Sequence, residues 1–132
     1  MKRSGIINRH ILFAIGSLGH GDRIAIADCG LPVPKGVWCI DLAVVMGTPS
    51  FQEVVKAVAD ELVVQRIIVA QEMRVSNPRQ YDFIKSLFHS IPVEEIPHAN
   101  FKERLKDVKA IIRTGEATPY SNVILESGVA FP

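Results

Sequence analysis

The sequence predicts an α/β protein, a three-layer α/β/α arrangement on a mostly parallel mixed sheet of about six strands. Three observations carry this. Short apolar runs alternate with amphipathic helical stretches along the whole chain. One run, QRIIVA at 65–70, has the pattern of a strand buried on both faces. The last connection is too short for a crossover helix, so an antiparallel final strand is expected, at one edge of the sheet.

Each element has a local reason. Asn8 is a good N-cap, Ile11, Leu12, Ile15 and Leu18 recur at helical spacing, and Gly19 suits the C-cap, so residues 9–18 read as a helix. Residues 23–27 are the first strand and 37–42 the second, closed by the Gly47-Thr48-Pro49 breaker. Thr48 can cap the next helix with Pro49 at its first position. Phe51, Val54, Val55, Val58 and Leu62 form its inward stripe, and it should end near Leu62. Asn77-Pro78 opens another helix, with Gln80 placed for a capping box and Tyr81, Ile84, Leu87 and Phe88 on its apolar face. A short strand at 93–96 lies between Pro92 and Pro97, and Asn100 with Glu103 repeats the capping-box spacing. Strands follow at 108–113 and 122–125, separated by a loop rich in Thr, Gly and Pro.

With 132 residues, one domain spanning 1–132 is expected, long enough for a core without disulfides or metals. The net charge of +1, with Lys and Arg dispersed, gives no nucleic-acid signature. No apolar run approaches the roughly 20 residues of a membrane helix. The basic start MKRSGIINRH lacks the apolar region of a signal peptide. Cys29 and Cys39 are too few for a disulfide framework and read as reduced thiols of a cytoplasmic protein. The hydrophobic fraction of 48% is high for a small chain with much surface, which points to self-association.

Polar groups collect at strand ends in three places: His20 with Asp22 and Asp28, His98, and the loop RTGEATPYSN at 113–122. Loops that follow parallel strands share one edge, where α/β sheets place their sites. Asp28, His98 and the third loop qualify. His20 precedes its strand and belongs to the opposite edge, unless its turn folds over or a neighbouring subunit shares the site. Each residue also has a plainer role open to it. His20 fits a surface or capping position, Asp28 a cap for the Gly30 turn, His98 a helix start, Arg113 and Glu116 an ion pair, and Tyr120 core packing. There is no metal-ligand spacing, no phosphate loop and no nucleophile motif. Histidines, a carboxylate, a Tyr and an Asn suit a polyhydroxylated ligand and proton transfer near neutral pH.

LGHGDRIAIADCGLPVP at 18–34 and RTGEATPYSN at 113–122 closely resemble the D-ribose pyranase family, which is related to the L-fucose mutarotases; the resemblance runs the whole length. GLPVP after the aspartate, and the segment before the Tyr and Asn, favour the ribose branch. The resemblance implies an isomerase that interconverts pyranose and furanose D-ribose without cofactor or metal. It implies His20 as proton donor, and Asp28, His98, Tyr120, Ser121 and Asn122 as sugar-binding residues. It also implies a homo-oligomer, a decamer of two stacked pentameric rings with sites between neighbouring subunits. A fucose-type mutarotase and a non-catalytic sugar-binding accessory protein are the alternative readings.

Overall fold

The computed structural model describes residues 1–132. In chain order the elements are α1 (Arg9–Gly16), β1 (Arg23–Ala27), β2 (Cys39–Asp41), α2 (Phe51–Ala59), β3 (Val64–Ala70), α3 (Glu72–Ser76), α4 (Pro78–Leu87), β4 (Val93–Ile96), α5 (His98–Arg104), a 3₁₀ turn (Leu105–Asp107), β5 (Ala110–Arg113) and β6 (Val123–Ser127). The α/β alternation stands as expected; α3 was not anticipated.

The caps explain where several boundaries moved. The Asn8 side chain accepts the His10 and Ile11 N–H groups and starts α1. Helix α2 is capped by Ser50, not Thr48, because Glu53 completes a reciprocal capping box with Ser50. Asn77 caps α4 with Pro78 at its first turn, yet Gln80 does not close a box. Its side chain instead accepts from Gln52 on α2 at 3.0 Å. Helix α5 begins at His98 rather than at Asn100. The Glu72 carboxylate of α3 accepts the His98 N–H at 3.0 Å and does the capping from another element.

The six strands lie in the order β2-β5-β1-β6-β3-β4. The ladders β1/β5, β2/β5 and β3/β4 are parallel, while β6 runs antiparallel to both β1 and β3. So β6 sits in the middle of the sheet, not at an edge. A short connection fixes a strand's direction but not its place. Val123, Ile124 and Leu125 are all fully buried, and a strand apolar on both faces needs cover on both.

Helices cover both faces. On β1, Ile24 and Ile26 join the larger core beneath α1, α2 and α4. Ala25 and Ala27 point the other way, into a smaller cluster with Leu31, Phe101 and Leu105. No helix is long and apolar enough to cross a membrane.

Candidate functional site at the carboxyl edge of the sheet

Because β6 runs against its neighbours, it begins on the edge where the parallel strands end. The loop 114–122 leaves β5 and reaches β6 by crossing over the end of β1. The crossing is pinned at each step. The Thr114 N–H and hydroxyl both donate to the Ala27 carbonyl, at 2.9 and 2.8 Å. The Cys29 N–H donates to the Glu116 carbonyl at 2.8 Å. At its far end the loop delivers Asn122 against Asp28. The Asp28 N–H donates to Asn122 Oδ1 at 2.8 Å, and Asn122 Nδ2 donates to Asp28 Oδ2 at 2.9 Å. The other oxygen, Oδ1, accepts the Gly30 N–H at 2.9 Å. Asn122 is only 1% exposed, so its amide orients Asp28 from behind.

Burial pushes the Asp28 carboxyl above its ordinary value of 3.8, opposed by the Gly30 N–H, the Asn122 amide, the Leu31 N–H and the field of His98. A raised native pKa means that Asp28's favourable term is complete below 3.8 and is lost as pH rises through the raised value. For a ligand that needs the ionised carboxylate, the direction reverses. Affinity for such a polyhydroxylated ligand, measured by titration calorimetry, should fall on acidification at a pH above that of an ordinary aspartate, and Asp28→Asn should remove that limb. A profile unchanged by Asp28→Asn would show that Asp28 does not govern binding.

The facing wall comes from α5 and the loop. The His98 ring meets Tyr120 edge-on at 5.0 Å and stacks on Phe101 at 6.3 Å. Its Nδ1 is buried without a hydrogen-bond partner, which leaves Nε2 as the accessible nitrogen. Tyr120 is the one non-glycine residue at positive φ, 56°. A left-handed conformation costs an ordinary L-residue about 1–2 kcal/mol, so the surroundings hold this side chain in place against a local preference. Lys102 lies one helical turn beyond His98 on α5. Asp28, Leu31, Pro32, His98, Lys102 and Tyr120 line a cleft of about 420 Å³. A larger groove, about 600 Å³, lies beside Gln71 and is lined by Glu72, Arg74, Ser76 and Glu95; its Arg74 and Glu95 pair with each other, and it holds neither a histidine nor Asp28 or Tyr120.

Ser121 does not line this cleft. It is fully buried, in contact with Thr118 Oγ1 at 2.7 Å and accepting from Asn77 Nδ2 at 3.2 Å. Asn77 also donates to Thr118 Oγ1 and to the Pro119 carbonyl, at 3.1 and 2.8 Å. Thr118 in turn donates to Glu116, whose other oxygen accepts the Phe51 N–H at the start of α2. A carboxylate is favoured at that helix end. Two helix starts thus fix the loop that carries Tyr120. Arg113 pairs with Asp41 at 3.0 Å, not with Glu116.

His20 is absent from this cluster. It lies at the other end of β1, where its Nε2 contacts Gln65 Oε1 on β3 at 2.9 Å. Five strand residues at about 3.3 Å each separate that edge from Asp28 by roughly 16 Å. No hydrogen bond joins His20 to Asp28, and the turn does not fold over. Of the residues singled out from sequence, one chain brings together Asp28, His98 and Tyr120, with Ser121 and Asn122 behind them. Lys102 is not among them, and the contacts of Asn77 with the Tyr120 loop and of Gln65 with His20 go beyond the cap and the strand start read from sequence. The spacing of 98 and 102 would have revealed Lys102 had the helix start been placed at His98.

A mixed sheet carrying a small polar cleft beyond its strand ends marks a protein that binds a small molecule at that edge. Residues 1–130 match the profile of the RbsD / FucU transport protein family, and the chain belongs to that family. It is 53% identical to the D-ribose pyranase of Bacillus licheniformis over 99% of this chain and 100% of that one. The D-ribose pyranase of Bacillus subtilis is 47% identical, with the same coverage. The structure of Bacillus subtilis RbsD complexed with D-ribose aligns with a TM-score of 0.97 at 46% identity, covering 99% of this chain and 100% of that one. A Streptococcus pneumoniae fucose mutarotase in complex with L-fucose aligns with a TM-score of 0.80 at 23% identity over 95% of each chain, a likeness of fold alone.

Proposed function

We propose that this protein is an isomerase that interconverts the pyranose and furanose forms of D-ribose by general acid–base ring opening and closure. The observation that carries the reading is the convergence of Asp28, His98 and Tyr120 on one cleft, in a chain 46% identical to a protein solved with D-ribose. Ring opening needs a proton on the ring oxygen while the anomeric hydroxyl loses one. The C1–O5 bond then breaks and a C1 carbonyl forms. Closure reverses the roles: the C4 hydroxyl attacks C1 and loses its proton as the carbonyl oxygen gains one. These are proton transfers only, within the range of positioned side chains. His20 is the general acid. Asp28, His98 and Tyr120 grip the sugar, with Ser121 and Asn122 completing that side of the site from behind. In this reading His98 Nε2 takes or returns the anomeric proton. Lys102 adds a donor at the rim.

One chain cannot present His20 to this cleft, so the reading includes a second copy that supplies it. The assembly proposed is a homo-oligomer, a decamer of two pentameric rings, acting in the cytoplasm. Exposed apolar side chains support association, among them Phe13 at 68%, Val44 at 76% and Met46 at 84%. Saturation-transfer NMR on ribose tests the activity. Faster pyranose–furanose exchange supports it; binding shifts without faster exchange would favour a sugar-binding accessory, and acceleration confined to L-fucose a fucose-type mutarotase.

Mixing tests the shared site. His20→Ala and Asp28→Asn chains, each inactive alone, should regain exchange when refolded together, because about a quarter of randomly paired sites would then hold both natural residues. No recovery in confirmed hybrid oligomers would return the site to a single chain.

A further inference from the structure

The turn that carries His20 is held by its backbone. The Gly19 N–H donates to Asp22 Oδ2 at 2.8 Å, the Gly21 N–H to the Ser127 carbonyl at 2.9 Å, and the Ser127 N–H to the Asp22 carbonyl at 2.8 Å. Gly21 has φ +85°, a conformation that favours glycine there. The imidazole makes one hydrogen-bond contact, at 2.9 Å between Nε2 and Gln65 Oε1.

Which of the two atoms holds the hydrogen follows from the other end of Gln65. Gln65 Nε2 lies 2.8 Å from Glu126 Oε1. The second carboxylate oxygen of Glu126 accepts from Arg23 Nε at 2.8 Å and from its Nη2 at 2.8 Å. Donation from Gln65, with help from Arg23, holds the Glu126 carboxyl below its ordinary value, so it is ionised at neutral pH. An ionised carboxylate only accepts. The Gln65 amide must therefore turn its NH₂ to Glu126 and its carbonyl oxygen to His20. A carbonyl oxygen also only accepts, so His20 Nε2 carries hydrogen. Neutral imidazole has one N–H, and Nδ1 is left with the lone pair.

We propose that Gln65 is a positioning residue that fixes the tautomer of His20, so that Nδ1 is the nitrogen that exchanges a proton with the sugar. This rests on His20 being the general acid. In the acid form Nδ1–H gives up its proton to the sugar oxygen while Nε2–H stays on Gln65. The chain Arg23–Glu126–Gln65–His20 crosses β1, β6 and β3, so three strands set the tautomer of one exposed ring.

Long-range ¹H–¹⁵N NMR on full-length, histidine-labelled protein reads the tautomer directly, with the His20 signals assigned by their loss in His20→Ala. At a pH above the imidazole titration, hydrogen on Nε2 is expected in the natural protein. Gln65→Glu sets a second carboxyl against Glu126, so the pair shares a proton; the oxygen facing Nε2 still accepts, and that tautomer should be kept. Gln65→Lys faces Nε2 with a donor while still reaching Glu126. It should move the hydrogen to Nδ1 and slow exchange by about 10² or more, the scale of a lost general acid, with ribose still bound. Hydrogen on Nδ1 in the natural protein, or full exchange in a Gln65→Lys protein whose tautomer has reversed, overturns the proposal. If His20→Ala abolishes exchange while the natural ring carries hydrogen on Nδ1, the acid role stands and the present proposal falls. Undiminished exchange in His20→Ala removes both.

Discussion

Replacing His20 by alanine should abolish accelerated pyranose–furanose exchange while the protein folds and binds ribose. Removing a general acid is worth about 10² to 10⁴ in rate. The cleft built by Asp28, His98 and Tyr120 is at the other edge of the sheet and keeps its own contacts. His20 is exposed, and its ring makes one hydrogen-bond contact, with Gln65, so little stability goes with it. A surface change of this kind usually moves stability by no more than about 0.5 kcal/mol. Saturation transfer between the ring forms measures the first part, and calorimetric titration with ribose the second. Exchange at the natural rate would take the acid role from His20.

The second large effect is on stability. Phe101→Ala should cost about 3–5 kcal/mol, the range for emptying a buried aromatic site. Phe101 is fully buried and lies in the smaller of the two cores, with 9 buried residues against 20 in the other. Fewer neighbours there can move in to fill the void. Since urea slopes for small proteins run at about 1–3 kcal/mol per molar, the midpoint should drop by roughly 1 M or more. The ring also backs His98, which stacks on it with planes 10° apart. So weakened ribose binding should accompany lost stability, and Phe101→Leu should recover most of both. A midpoint that barely moves would mean that the second face carries little of the fold.

Much of this was legible in the residues. Alternating periodicities gave the layers, and Ile24 to Ala27 ending in Asp28 gave the edge where the site lies. The opposite placement of His20 was also legible, because a residue before a strand and one after it stand a strand's length apart. What the sequence hid were choices made between elements. Glu72 starts α5 from another helix, so the local Asn100–Glu103 pattern was a poor guide. Gln80 had a better partner in Gln52 than its own helix end. Gln65 looked like the mere start of an apolar strand; its meaning comes from Glu126, 61 residues away. The place of β6 is signalled by VIL in 123–125, all apolar, whereas the shortness of the preceding loop fixes only its direction.

The central position of β6 bears on how the chain comes together during synthesis. One part of the sheet is β2-β5-β1 and the other β3-β4, and no ladder joins them except through β6. Translation delivers β6 after every other strand. Until residues 123–127 leave the ribosome, β1 and β3 each present an open, apolar edge to whatever is nearby. Sheet closure is therefore a late event on the emerging chain. Asn122, which holds Asp28, immediately precedes the strand that closes the sheet, so the cleft becomes complete only when the fold does.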